Sequence, residues 1–271
     1  MSGLSMITIL IIGIANAAVG GCIGICGIAG FLLPMLYTGA LGYDVTYALA
    51  MSFLAFLVSG LIGSWNYYKA GNLDISMSVK LGVGSLIGAV GGVFLQALIE
   101  KETAKTILYL VVLLSGMSIL IRMWNDNRKE KRNRLSENRS DEGKSELSDK
   151  KSITEKFIFL LILGIVTGCI CSLSGAGGPV LVMPLLVACG VSARIAVGVA
   201  LFDSVFIAIP ACAGYLSRID WKSMVGLLLL IIVTHGIGVW TGSRFAGKVP
   251  VQGLKIFVAV FSVCIALYML I

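Results

Sequence analysis

The chain has 271 residues, of which 58% are hydrophobic and only 13% are charged. A soluble domain averages about 25% charged residues, whereas here apolar runs of roughly 20 residues recur along nearly the whole chain. The composition therefore excludes an ordinary soluble domain and predicts an all-α polytopic membrane protein. The net charge of +7 does not indicate a nucleic-acid partner, because 11 of the 21 basic residues lie in one polar segment, 122–156.

That polar segment divides the chain into two halves of similar length. We predict an N-terminal transmembrane repeat over residues 1–124, a charged linker over 125–155 and a C-terminal transmembrane repeat over 156–271. Cytoplasmic loops of membrane proteins carry an excess of Lys and Arg, so the linker is expected to be cytoplasmic. The protein is expected in the cell membrane.

In chain order, each half begins with a broken apolar pair, 4–26 then 31–42 in the first half and 157–173 then 178–191 in the second. Three uninterrupted spans follow each pair, at 45–67, 75–99 and 104–123 and at 195–216, 222–243 and 252–271. The second member of each pair is shorter than the roughly 20 residues that a spanning helix needs. A re-entrant half-helix is therefore predicted at both places.

The two halves align with an offset of 150, which pairs Gly27 with Gly177 and Pro34 with Pro184. If each broken pair enters and leaves on one side, the halves are inverted relative to each other; if both members cross, the halves are parallel. An inverted arrangement places Lys69, Arg194 and Arg244 on the cytoplasmic side, and it violates the positive-inside rule less. Inverted repeats are therefore favoured.

Both broken pairs contain a glycine-rich string, 24–30 and 174–179. A helix that begins inside the membrane leaves backbone N–H groups without partners, and an anion satisfies them well. Facing breaks predict an anion site formed by Gly27, Ile28, Gly30, Gly175, Gly177 and Gly178, with Ser174 as a hydroxyl donor. The alternative is close helix packing, to which we assign Gly20, Gly24, Gly164 and Gly168.

The second string, running from Gly168 through Ser174, Gly175, Gly177, Gly178 and Pro179 to Pro184, resembles the signature of the TauE/SafE sulfite-exporter permeases. The resemblance covers the whole chain, although Ile28 and Ala29 in the first string and Pro179 in the second depart from the family pattern. It implies a permease, not an enzyme, that exports small sulfur-containing anions such as sulfite, thiosulfate or organosulfonates. No cofactor is expected.

Asp203 is the one carboxylate clearly inside a predicted span, and the only histidine, His235, lies in the middle of the span 222–243. Such residues are expensive in a membrane and are candidates for function, so both are predicted to serve proton coupling, as a relay if they lie at similar depth. A buried polar pair without function is the alternative. Lys69, Arg218 and Lys222 lie beside Trp65, Tyr67, Tyr68 and Trp221 and are predicted to be interfacial anchors.

Cysteines flank both strings. Cys22 and Cys26 share one helical face before the first break, and Cys171 precedes the second, so all three are candidates to contact the substrate. Small packing residues are the alternative, and no clustering predicts a metal site. Asn16 is a further candidate donor to the substrate.

Together these patterns predict a permease that moves a small, sulfur-containing anion by alternating access, with proton coupling as an option. An anion channel and an intramembrane thiol enzyme remain as alternatives. The expected partners are the small anion and the lipid bilayer, and a homodimer is left open.

Overall fold

The computed structural model describes residues 6–27, 29–100 and 157–247, together with single positions between 103 and 121 and between 260 and 267. Ile28, the predicted linker 125–155 and most of the spans predicted at 104–123 and 252–271 lie outside the described residues. All regular structure in the described part of the chain is helical. The predicted all-α class is confirmed.

The first half contains α1 (Met6–Cys26), α2 (Leu32–Met35) continued by one π-helical turn (Leu36–Ala40), α3 (Val45–Lys69) and α4 (Ile75–Leu98). The second half contains α5 (Phe157–Ser174), α6 (Gly178–Ala188), α7 (Ala193–Leu216), a 3₁₀ turn (Trp221–Met224) and α8 (Val225–Phe245). Six helices in the described ranges, counting the 3₁₀ turn with α8, are long and apolar enough to cross a membrane. The chain is therefore polytopic, with short helices where the breaks were predicted.

Two of the long helices begin at aspartate caps that the polar turns supply. The Thr46 amide donates to Asp44 Oδ1 at 3.0 Å, and the Met77 amide donates to Asp74 Oδ1 at 2.9 Å. A capping carboxylate accepts one of the amides that have no partner inside the helix and favours the positive helix end. These caps fix where α3 and α4 start at the membrane boundary.

Glycine seams hold two pairs of helices together, and in both pairs the chains run in the same direction. Along α1 and α8, a Cβ on Gly20 would lie 2.6 Å from the His235 carbonyl oxygen, and one on Gly24 would lie 2.7 Å from that of Val239. Along α4 and α5, Gly164 and Gly168 face backbone carbonyls of α4 in the same way. The prediction that these four glycines serve packing is confirmed.

The helices α3 and α7 cross in opposite directions at the centre of the molecule. A Cβ on Gly60 would lie 2.6 Å from Val205 Cγ2, and one on Gly63 would lie 3.0 Å from Leu201 Cδ1, so positions rise along one helix as they fall along the other. Among the six described spans these are the most buried, with 61% and 67% of their apolar stretch inside the protein. They form the core against which the short helices pack.

Basic residues mark the two ends of this bundle. Lys69 and Arg244 line one surface groove, and Arg194 and Arg244 line one cavity, so all three lie at the same end. Arg218 lies beyond the last turn of α7, at the opposite end from Arg194 near its start. The two ends of the bundle can therefore be told apart: Lys69, Arg194 and Arg244 mark one, and Arg218 marks the other.

Candidate functional site

The two glycine strings end α1 and α5 with the same backbone turn. Gly27 and Gly175 have φ values of +73° and +72°, which glycine adopts without steric cost. Each donates its amide to the carbonyl four residues earlier, at 2.8 Å in both cases. In this turn Gly27 therefore corresponds to Gly175, and not to Gly177 as the offset of 150 predicts. The offset differs because α6 begins three residues after Gly175, whereas α2 begins five residues after Gly27.

A buried tyrosine ties each turn to the core in the same manner. The Tyr67 hydroxyl lies 3.2 Å from the Gly24 carbonyl oxygen, and the Tyr215 hydroxyl lies 2.6 Å from that of Ser172, over a separation of 43 residues in both halves. Tyr67 is therefore a buried anchor of α1, and its predicted place in an interfacial aromatic belt is wrong. Lys69 does sit over the Trp65 ring, at 4.9 Å, as such a belt requires.

The two strings meet each other inside the protein. A Cβ on Gly27 would lie 3.4 Å from Pro179 Cβ, and one on Gly175 would lie 3.4 Å from Pro34 Cγ, so each turn packs on the proline of the other short helix. The ring of Phe56 lies between the strings, 3.1 Å from a Cβ placed on Gly30 and 3.3 Å from one on Gly177. Phe56 is near the middle of α3, which places this meeting point deep in the bundle.

Backbone donors at the meeting point lack acceptors. The amides of Gly30, Gly177 and Gly178 donate to no group in the described ranges, and all three residues are buried. Buried backbone N–H groups are nearly always paired, and the first turn of a helix also presents its positive dipole end. Gly177 and Gly178 begin α6, so this point has the chemistry that binds an anion.

A cavity of about 490 Å³ leads from one end of the bundle towards the meeting point. Cys26 and Val197 line its inner part, and Val197 also lies against Gly27. The charged residues among its described lining are Arg194 and Arg244, and no acidic side chain joins them. Arg244 is held over the Trp240 ring at 4.3 Å. The cavity is therefore an electropositive vestibule to the first string.

Three predicted polar contacts are already used within the protein. The Ser174 hydroxyl donates to the Ile170 carbonyl at 2.7 Å and accepts from the Ala176 amide, so its hydrogen does not point to a ligand. The thiol of Cys26 donates to the Cys22 carbonyl at 3.1 Å, and that of Cys171 donates to the Gly177 carbonyl at 3.4 Å. Cys26 also lines the cavity. Cys171 is not among the residues that line this cavity, and its contact with the second string is the bond to the Gly177 carbonyl.

Asn16 belongs to a different cluster. Its side-chain nitrogen donates to the Ile12 carbonyl and to the Tyr37 hydroxyl, both at 2.8 Å, and its own carbonyl lies 3.1 Å from His235 Nδ1. Asn16 lies ten residues before Cys26, about 15 Å along the helix. It therefore fastens α1 to α8 and to the segment after the first break, and it does not reach the meeting point.

Asp203 and His235 are buried in separate places. His235 Nε2 lies 2.6 Å from the Ser59 hydroxyl, between α1 and α3. Asp203 lies beside Ser85 of α4 and Cys171 of α5, and neither of its carboxylate oxygens has a hydrogen-bond partner among the described residues. No hydrogen bond joins Asp203 to His235 in the described part of the chain, so the two do not form a direct relay here.

The chain is similar in sequence to a family of membrane transporters. Residues 9–269 match the model of the family described as sulfite exporter TauE/SafE. The chain belongs to the TauE/SafE family. Two Bacillus subtilis (strain 168) proteins are similar to this TauE/SafE chain: "Probable membrane transporter protein YdhB" is 24% identical over 238 residues, covering 87% of this chain and 88% of the relative. "Probable membrane transporter protein YtnM" is 27% identical over 236 residues, covering 86% and 71%. No solved structure matches the chain. Family and spans together make it a multi-pass membrane transporter.

Sequence reasoning missed several residues of this TauE/SafE site. Arg194 and Arg244 lie 50 positions apart in sequence and line one cavity, and Phe56 separates the strings although nothing in its neighbourhood marks it. The available signal for the two arginines was the positive-inside rule, which placed both on the cytoplasmic side in the inverted arrangement. At the opposite end, Arg218 donates to Gln96 Oε1 and to the Val93 carbonyl, each at 3.1 Å, and so ties the end of α7 to α4.

Proposed function

We propose that the protein is a permease that moves a small sulfur-containing anion, such as sulfite, thiosulfate or an organosulfonate, by alternating access. One observation carries the proposal: buried amides without acceptors lie where the two strings meet, close to the inner part of a cavity whose charged lining residues are two arginines. The TauE/SafE family supplies the sulfite class.

The binding chemistry follows from the backbone. Oxygens of a sulfur oxyanion accept hydrogen bonds from the amides of Gly30, Gly177 and Gly178, and the start of α6 adds its positive end. Arg194 and Arg244 raise the local concentration of anions at the mouth of the cavity. Glycine at these positions keeps the amides accessible, because a side chain would cover them.

The two halves are proposed to be inverted repeats. The matching turns at Gly27 and Gly175, the matching tyrosine bonds and the opposite directions of α3 and α7 all support this arrangement. The shared end of Lys69, Arg194 and Arg244 supports it as well, since parallel halves would separate Lys69 from the two arginines. Inverted repeats with broken helices at a central site are a recurring basis for alternating access.

Orientation follows from the same charges. The end that carries Lys69, Arg194 and Arg244 is proposed to be cytoplasmic, with the linker 125–155 on that side. The cavity then opens to the cytoplasm, and the end closed by Arg218 and Gln96 faces outwards. A proton is proposed as the coupling ion.

The alternatives have less support. A channel needs access from both ends at once, whereas Arg218 ties α7 to α4 at one end while the cavity opens at the other. A thiol enzyme needs a free nucleophile, whereas the Cys26 and Cys171 thiols both donate to backbone carbonyls. A transporter is the function of the family to which the chain belongs.

Flux through purified protein in liposomes tests the proposal. We expect saturable uptake of sulfite, thiosulfate or methanesulfonate, and at least a tenfold lower rate for Gly178→Ala, whose Cβ would lie 3.2 Å from Ile207 Cδ1 and from Ser204. Gly91→Ala is the matched control, because a Cβ there meets nothing within 4 Å. It is expected to transport at the wild-type rate.

Three results would contradict the proposal. Absence of flux for all three anions under every imposed gradient would remove the sulfur-anion class. Flux that rises linearly with concentration and equals that of a channel would replace the permease by a pore. Equal transport rates for the Gly178→Ala and Gly91→Ala variants would show that the anion does not bind at the glycine strings.

A further inference from the structure

The two residues predicted to serve proton coupling, Asp203 and His235, differ in how well the protein satisfies their polar atoms. Asp203 and His235 are both fully buried. A buried polar group without a hydrogen bond costs free energy, and a buried unpaired charge costs far more. The surroundings of each group therefore indicate which protonation state the fold accommodates.

Both ring nitrogens of His235 have hydrogen-bond partners. Its Nδ1 lies 3.1 Å from the Asn16 carbonyl oxygen, and its Nε2 lies 2.6 Å from the Ser59 hydroxyl, which also donates to the Ala55 carbonyl at 3.0 Å. Because these contacts reach two other helices, His235 serves as a tie between α8, α1 and α3.

Asp203 has no such partners. Both carboxylate oxygens, and the hydroxyl of neighbouring Ser85, are buried without a hydrogen bond to any described group. As an anion, this side chain would be a charge in the membrane interior with nothing to balance it. A bound cation, either a proton or a metal ion, removes the imbalance.

The described helices around Asp203 supply no compensating charge. Its titratable neighbour is Cys171 of α5, and α5 and α6 contain no charged residue. Lys69 is the last residue of α3, and Lys80 of α4 precedes Ser85 by five positions, which places it on another face of that helix. The charged residue of α7 itself, Arg194, lies at its first turn.

These surroundings favour a proton over a metal ion. Sodium and other hard cations need several oxygen ligands, whereas the side chains seen to interact with the carboxylate in the described part of the chain are those of Ser85 and Cys171. The Cys171 thiol already donates its hydrogen to the Gly177 carbonyl. A protonated carboxyl needs only one acceptor, and the unpaired Ser85 oxygen provides it.

We propose that Asp203 is the site that binds the coupling proton, and that the proton is carried together with the anion. The inference rests on the proposed function and names its coupling group. One proton joins a carboxylate oxygen when the anion binds and leaves it when the anion is released, with no change in oxidation state. His235 takes no part in this step.

The contact between Cys171 and Gly177 connects the two sites. Cys171 lies beside Asp203 and donates to the carbonyl of Gly177, whose amide lies at the meeting point of the strings. An ionised Asp203 repels an anion bound at the start of α6, and a protonated one does not. Proton and anion therefore increase each other's affinity, which is the coupling that cotransport requires.

The test uses full-length protein in liposomes with thiosulfate or methanesulfonate, which stay ionised near neutral pH, so that any proton moved is carried by the protein. We expect wild type to accumulate the anion at least tenfold when an inward proton gradient is imposed. Asp203→Asn, which mimics the protonated side chain, is expected to retain anion exchange and to lose accumulation. Asp220→Asn, at an exposed turn, is the matched control and should behave as wild type.

A second measurement does not depend on transport. The infrared band of a protonated carboxyl in a dry environment is expected in wild type and in Asp220→Asn, and should be absent in Asp203→Asn. Accumulation that persists in Asp203→Asn, or that follows a sodium gradient in place of a proton gradient, overturns the inference while leaving the permease intact. If wild type moves no sulfur anion, the proposed function fails, and the band alone then supports or overturns proton binding at Asp203.

Discussion

In the described helices, most hydroxyl side chains bond to a carbonyl of the turn before them. Thr38, Thr167 and Thr234 each donate to the carbonyl four residues earlier, at 2.8 Å, 2.8 Å and 2.7 Å. In an apolar environment this local bond is the simplest way to satisfy a hydroxyl. Side chains that instead reach another helix, such as Asn16 and His235, are therefore informative about tertiary structure.

Removing the imidazole of His235 should destabilise the protein without abolishing its coupling. His235→Ala leaves the Ser59 hydroxyl without its inter-helix partner and opens a buried cavity, so we expect a loss of about 1–3 kcal/mol of stability. Thermal unfolding in detergent measures this. Thr241→Ala, which loses only bonds to carbonyls of its own helix, is the control and should change little. Loss of proton-driven thiosulfate accumulation in a folded His235→Ala protein would contradict the structural role.

Helices are joined by glycine at several seams. On α4, Gly88 faces the Ile165 carbonyl of α5 so closely that no side chain fits, whereas Gly91, less than one turn later, meets nothing within 4 Å. Association of helices in a membrane relies on such close approach, because lipid chains are as apolar as leucine. The seam therefore contributes much of the attachment of the second half to the first.

Valine at these two glycines separates packing from helix propensity. Gly88→Val must push α4 away from α5, and we expect it to lower stability by about 1–3 kcal/mol. Gly91→Val introduces the same β-branched side chain into the same helix, so any intrinsic effect on the helix is shared. Melting temperatures of the two variants in detergent give the difference. Equal melting temperatures would show that the seam does not depend on close contact.

Within the described residues, the two ends of the bundle differ: one holds the cavity lined by Arg194 and Arg244, and the other holds a hydrogen bond between two helices. Ala70 and Ala246, at the ends of α3 and α8, line the cavity, whereas at the other end Arg218 joins α7 to Gln96 of α4. A transporter that alternates must break the closing contact and collapse the cavity in the same cycle. The Arg218–Gln96 bond therefore helps to set which end is open.

Removing one side of this contact should shift the balance between the two states. A hydrogen bond to a charged group contributes about 1.5 kcal/mol or more, so Gln96→Ala is expected to move the equilibrium by about tenfold away from the state with the open cavity. A cysteine introduced at Ala70 reports this as slower labelling by a water-soluble thiol reagent, measured at that position by mass spectrometry. Ser223→Ala, at the same end as Gln96 but bonded only to Asp220, is the control. Unchanged labelling in the Gln96 variant would exclude a gating role.

The sequence predicted the spans and breaks well because both depend on local properties. Apolar length marks a membrane helix, and glycine with proline marks its interruption, whatever the rest of the chain does. It predicted the pairing of Gly27 with Gly177 less well, because the two halves differ in how many residues separate the turn from the short helix. The place of Tyr67 was wrong because an aromatic residue near a helix end can face either lipid or core.

By itself, the sequence determined a polytopic helical protein with two interrupted helices, since hydrophobicity and backbone conformation are encoded residue by residue. Two similar halves and a cytoplasmic linker stay predictions. Only the tertiary structure decided that the two strings meet around Phe56, that Arg194 and Arg244 share a cavity, and that Asp203 and His235 lie in separate clusters. These relations depend on which helix faces pack together. In the membrane that choice is made by close contacts between glycine seams and by a few buried hydrogen bonds, which no single segment specifies.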